Sequence, residues 1–250
     1  MNKLSYIFVA ALFFLSIHSA WAHREDYLNK TFVYQTIEPT ELELEYWSKY
    51  GSESTSPVHL VAWEHTGAVE LGINDHWMIE SNSTFRHSPD HHFDHLITRV
   101  ESRFRLFEEG AKFLDPAFSV EYSISNVNQK TEHIIEPTFV LSKDFSRLNF
   151  TLNISTAKIL NSSEGPDVGY AFASRYDFRR FLRVGFEAQG ELGHDAPQYF
   201  IPQIHLLLPH EITPKFGVGV RYSGEGEKIF LKFVIETGLE FEKSKMPKGK

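Results

Sequence analysis

The sequence predicts an all-β chain folded as a single antiparallel transmembrane β-barrel of about twelve strands. Three observations predict it. Between about residues 40 and 241 the chain alternates apolar and polar side chains in short runs divided by turn residues, and no segment of any length shows a helical period. Most runs reach the 9 to 11 residues that a tilted strand needs to cross a bilayer, where soluble sandwiches use strands of about 5 or 6. Turned inward, twelve apolar faces would surround a space too wide for side chains to fill, since eight strands already enclose a filled interior or one ligand. Turned outward into lipid, they leave a polar, hydrated lumen.

The run 147–154 sets the pattern. Leu148, Phe150, Leu152 and Ile154 fall on one face, and Arg147, Asn149, Thr151 and Asn153 on the other. Successive side chains of a strand point to opposite faces, so this period implies one apolar and one polar environment.

In chain order, residues 1–22 read as a signal peptide: Lys3 gives the positive start, 4–17 is the apolar core, and Ala20-Trp21-Ala22 fits a small-x-small cleavage site. The apolar core is short for a membrane-spanning helix. Residues 23–39 are expected as an N-terminal periplasmic arm leading into the first strand, with a segment tucked into the pore as the sharper alternative. The barrel is assigned to 40–241, and 242–250 form a basic C-terminal tail.

The twelve runs are 40–51, 58–73, 77–87, 96–107, 117–125, 133–141, 147–160, 167–178, 182–192, 198–208, 215–222 and 228–241. The second is either one long strand or a strand with a bulge at Gly67, and Asn74-Asp75-His76 turns the chain into the third. An even count leaves both chain ends on one side. Further turns on that side fall near Glu109, Lys143, Arg179 and His210. Opposite loops fall near Ser52, Asp90, Asn128, Ser163, His194 and Glu225, and they are short, against a function built on long binding loops.

The chain has no cysteine, which excludes disulfides and thiolate chemistry, and its net charge of −8 without a basic cluster argues against nucleic acid as a partner. Outer-membrane lipid and small solutes or ions are the expected partners, and no cofactor is indicated. The expected lumen-lining charges are Arg99, Glu101, Arg103, Arg105, Glu121, Arg147, Arg175, Arg183, Glu187, Arg221, Lys232 and Glu236. Such groups either tune which ion passes or pair with one another to fill the lumen. The cluster from His87 to His95 offers an alternative, a metal-interacting barrel. Ser88 would cap a helical turn that brings His91 and His95 to one face, and with His87 and His92 they suit zinc or copper. A solvated loop is the competing reading. A lipid hydrolase is the weakest rival, because no serine and histidine fall in a triad-like spacing.

The leader, the amphipathic strands with tight turns such as Gly72-Ile73-Asn74-Asp75-His76-Trp77, and a last strand ending in Phe241 resemble Gram-negative outer-membrane β-barrels. More narrowly, the runs 23–28, 41–47 and 141–153 are similar to a group of small porin-like barrels. The resemblance implies a bacterial outer-membrane location and passive, non-enzymatic transport. One departure is the tail after Phe241, where such barrels usually end on the aromatic residue.

Overall fold

The computed structural model describes residues 26–39, 41–53, 60–87, 93–127, 130–193, 196–209, 211–224 and 228–240. The expected leader and basic tail lie outside these residues. Twelve strands follow in order: β1 Glu41–Glu53, β2 Leu60–Asn74, β3 Trp77–His87, β4 Phe93–Arg105, β5 Asp115–Val127, β6 Lys130–Phe145, β7 Leu148–Ile159, β8 Asp167–Arg179, β9 Leu182–Glu191, β10 Gln198–Leu206, β11 Ile212–Ser223 and β12 Ile229–Glu240. Each pairs antiparallel with its neighbours in sequence, and β1 closes onto β12 from Glu41↔Glu240 to Gly51↔Phe230. Closure removes the unpaired edge that hydrocarbon cannot solvate. No helix among the described residues is long and apolar enough to cross a membrane.

The alternation of β7 is inverted relative to a water-soluble protein. Phe150 and Ile154 are 36% and 47% exposed on the outside, while Asn149, Thr151 and Asn153 are at most 3% exposed within. Around the barrel the outer surface is apolar: Leu71, Val100, Phe139, Val218 and Leu231 stand out from their strands. Phe150, Phe172, Phe186 and Phe200 form a continuous row across β7 to β10, with ring centroids 6.4, 6.0 and 5.4 Å apart. Trp77 stacks on Phe104 at 5.8 Å near one rim and donates its indole N–H to Ser102 at 2.7 Å. A ring that is apolar on its face and polar at its tip suits the lipid–water boundary.

Three local expectations are corrected. Gly67 pairs in register with both Tyr46 and Ser83, and the irregularity in β2 falls instead between Gly72 and Asn74. The β6–β7 turn expected near Lys143 lies at Ser146 and Arg147, because pairing continues to Phe145↔Leu148 and Ser146 takes the left-handed turn conformation at φ 59°. Arg147 is therefore an exposed turn residue and not a lumen-lining one. Parity alone had put it on the polar face, but the strand ends before it.

Because the outside meets lipid and the inside meets polar atoms, a charge that is costly on one face is tolerated on the other. Ile154→Arg is expected to lower stability by about 2–4 kcal/mol. Ala157→Lys, which points into the lumen, should stay within about 0.5 kcal/mol of the parent. Denaturant unfolding of the protein in lipid vesicles measures both.

Candidate functional site

The lumen is built from the polar faces of the strands, and its lower half is occupied by residues 26–39. This inserted arrangement, the alternative to a free periplasmic arm, follows from the composition of the segment. Tyr27, Leu28, Val33, Tyr34 and Ile37 are each at most 5% exposed, burial that a free arm in water would not give them. Leu28 packs with Ile201, Phe230 and Val234, Val33 and Tyr27 with Ala173, and Tyr34 with Ala117 and Val140.

Polar contacts fix the register of the arm. The amide of Tyr27 donates to the carbonyl of Thr31 at 3.1 Å, so the intervening backbone is a tight loop. Its successive N–H groups converge on one acceptor. The Glu187 carboxylate accepts from the amides of Asn29, Lys30 and Thr31 at 2.8, 3.1 and 3.1 Å and from the Thr31 hydroxyl at 2.8 Å. Successive backbone donors of this kind form a concavity for an anion. Gln203 extends the anchor, accepting from Leu28 N–H at 2.9 Å and donating to Glu187 at 3.2 Å. The Tyr27 hydroxyl donates to Asn149 Oδ1 at 2.6 Å, and the Asn153 amide, oriented to satisfy both its ends, pairs with the N–H and carbonyl of Phe32.

Charged contacts hold the start of the arm. Arg103, fully buried, donates through Nη1 to both oxygens of Asp26 at 3.0 and 3.1 Å, pairs with Glu101 at 2.8 Å and lies over the Phe32 ring at 4.3 Å. Lys215 donates to the Asp26 carbonyl at 2.6 Å and pairs with Glu236. Buried charges persist only when paired in this way. The arm leaves the lumen at the rim, where Thr36 donates to the carbonyl of Asp75 at 3.0 Å. Gly72 makes room there: a Cβ at this position would lie 2.0 Å from the Glu38 carbonyl oxygen, a backbone atom that cannot swing aside.

Beyond the arm the lumen widens into a cavity of about 590 Å³, floored by Asn29, Lys30 and Phe32. Arg99 and Glu121, paired at 3.4 Å, and Glu101 and Lys232 lie in its wall. Lys232 also donates to Asn29 Oδ1 at 3.1 Å, tying the wall to the floor. Below, a residual space of about 30 Å³ between the arm and the strands is of the order of one water molecule.

Of the other charges expected in the lumen, Arg175 faces the Tyr27 ring at 5.4 Å, and Arg183 pairs with Asp177 at 2.7 Å. Arg105 stands opposite buried Ala117, and Arg221 opposite Tyr199. Glu187 and Glu236 belong to the arm's anchorage. Asn149, Gln203 and Lys215 on the wall and Asp26 on the arm were missed as anchors, since the contacts between wall and arm appear only once the arm is inserted.

The turn expected from Ser88 to His95 lies mostly outside the described residues, and its described end is extended strand. Phe93–Arg105 is strand β4, so His95 cannot sit one helical turn from His91; its Nε2 contacts Thr98 at 2.8 Å and its Nδ1 contacts Asn126 at 3.1 Å. His87 ends β3, and His91 and His92 lie outside the described residues.

No family model and no curated protein matches the chain. Solved structures do. An outer-membrane channel from Pseudomonas putida F1 is similar with a TM-score of 0.56 at 10% identity, over 82% of this chain and 98% of that one. The NanC porin matches with a TM-score of 0.55 at 12% identity, covering 80% and 99%, and the KdgM porin with 0.55 at 8%, covering 78% and 98%. At such identities the likeness is one of fold, and the fold is that of an outer-membrane β-barrel.

The anchor and the niche can be tested separately. Glu187→Ala leaves three arm amides without their acceptor, and hydrogen bonds to a charged group contribute about 1.5–3 kcal/mol each. Amide hydrogen exchange at residues 29–31 is expected to accelerate by at least tenfold while exchange in the strands is unchanged. Gly72→Val should accelerate exchange at 36–38 by displacing the arm's exit.

Proposed function

We propose that the chain is a porin-like channel of a bacterial outer membrane that passes small solutes or ions passively through a mixed-charge lumen, and that the inserted arm closes it. The observation that carries this reading is the continuity of polar lumen through the barrel. Below, the arm fills it with contacts that reach β4 through β12; above, it is a charged vestibule of about 590 Å³. A lumen this polar is stable in lipid only because the apolar faces point away from it. The naming of the similar structures as an outer-membrane channel and porins supports the reading.

Passage needs no chemistry at the lumen wall, and several of the described histidines make hydrogen bonds within the barrel. His205 contacts Gln203 at 2.8 Å, while His65 and His133 each meet a tyrosine hydroxyl at 2.7 Å. The arm rests on hydrogen bonds and buried ion pairs, so its removal exposes a wide polar pore.

Single-channel recording in planar bilayers separates the outcomes. The mature chain should show rare, small openings, and a chain lacking residues 23–39 should show sustained steps of larger conductance. Silence in both, with the barrel folded, overturns the proposal.

A further inference from the structure

The pairing registers hold a pattern that no single strand displays. Glu43 stands opposite Glu70, Glu70 opposite Glu80, Glu80 opposite Glu101, Glu101 opposite Glu121, and Glu121 opposite Glu136. Six consecutive strands thus place a glutamate on one unbroken line, and the line faces the lumen. Like charges directly opposite one another destabilise a sheet. Arg103 and Arg99 offset part of that repulsion through Glu101 and Glu121. Among the described residues of the vestibule wall and floor, seven carboxylates still face four cationic side chains.

Two independent features of the same cavity point to the ligand that would complete it. The Gln189 side chain is only 7% exposed, lies in the cavity wall, and its Oε1 has no hydrogen-bond partner among the described residues. A buried acceptor in this state calls for a donor, from water or from a bound solute. The aromatic wall already holds cations: Lys232 Nζ lies 4.7 Å over Trp47, and Lys49 Nζ 5.0 Å over Phe230. Ring faces at that range attract ammonium and guanidinium groups.

We infer that the vestibule selects and binds small organic cations of the ammonium or guanidinium type. The acidic line draws a cation in and repels anions. Gln189 Oε1 then takes one of its N–H groups, and the cavity volume lies within the range of small-molecule sites. The inference rests on the reading of this space as the mouth of a channel, and it names the class of solute.

The test is a calorimetric titration of the full mature chain, folded in detergent at low salt, with agmatine and separately with glucuronate. Saturable agmatine binding without glucuronate binding is expected. Glu121→Gln with Glu136→Gln should weaken agmatine at least tenfold, and Gln189→Leu should weaken it several-fold, in protein that still shows the heat-dependent gel mobility of a folded barrel. No agmatine binding, equal binding of glucuronate, or indifference to both changes overturns the inference. Reversal potentials in a potassium chloride gradient keep the two readings apart. A conducting protein without cation preference overturns the inference and leaves the channel, whereas agmatine binding by a chain that never conducts supports the inference and removes the channel.

Discussion

Every backbone N–H and C=O within a bilayer must find a partner inside the protein, and the pairing of β1 with β12 is what meets that demand here. Once the sheet is closed, the remaining features follow. The alternating side chains have only two places to go, lipid or lumen, and the outward set is apolar over the whole circumference. The inward set is polar and charged, and must be hydrated or paired. Arg103 with Asp26 and Glu101, and Lys215 with Glu236, show the pairing; the vestibule leaves room for the hydration.

The arm resolves the crowding of charge in the lower lumen in a way the strands alone could not. A strand presents side chains at fixed spacing, so it cannot offer three donors to one carboxylate. A short irregular loop can, and the loop between Tyr27 and Thr31 presents its successive amides to Glu187. Apolar residues of the same segment fill the spaces between polar groups, and small wall residues accommodate them. Gly217 is such a residue: a Cβ there would fall 2.2 Å from Leu28 Cδ2.

How much of this could be read from the sequence depends on the range of the interaction. The strands were legible because their signal is local: Asn149, Thr151 and Asn153 alternate with Phe150 and Leu152 whatever the rest of the chain does. Turn positions were less so, and Arg147 was placed in the lumen because parity does not reveal where a strand stops. His95 was drawn into a helical turn by Ser88 as its cap, but its pairing with Phe85 keeps it in the sheet. The inserted arm left one clue, a set of buried-type residues with no period ahead of the first strand. The glutamate line left none in any one strand. It appears only when the offsets between strands are known, and those offsets are set by turns and bulges.

The arm's contacts also impose an order on assembly. Residues 26–39 precede every strand in the chain, yet the groups that hold them come from β4, β7, β9, β10, β11 and β12. Their docking site does not exist until the last strand has joined the first. A segment synthesised before any of the strands is thus the last to find its place, and a seated arm is a record that the wall around it is complete.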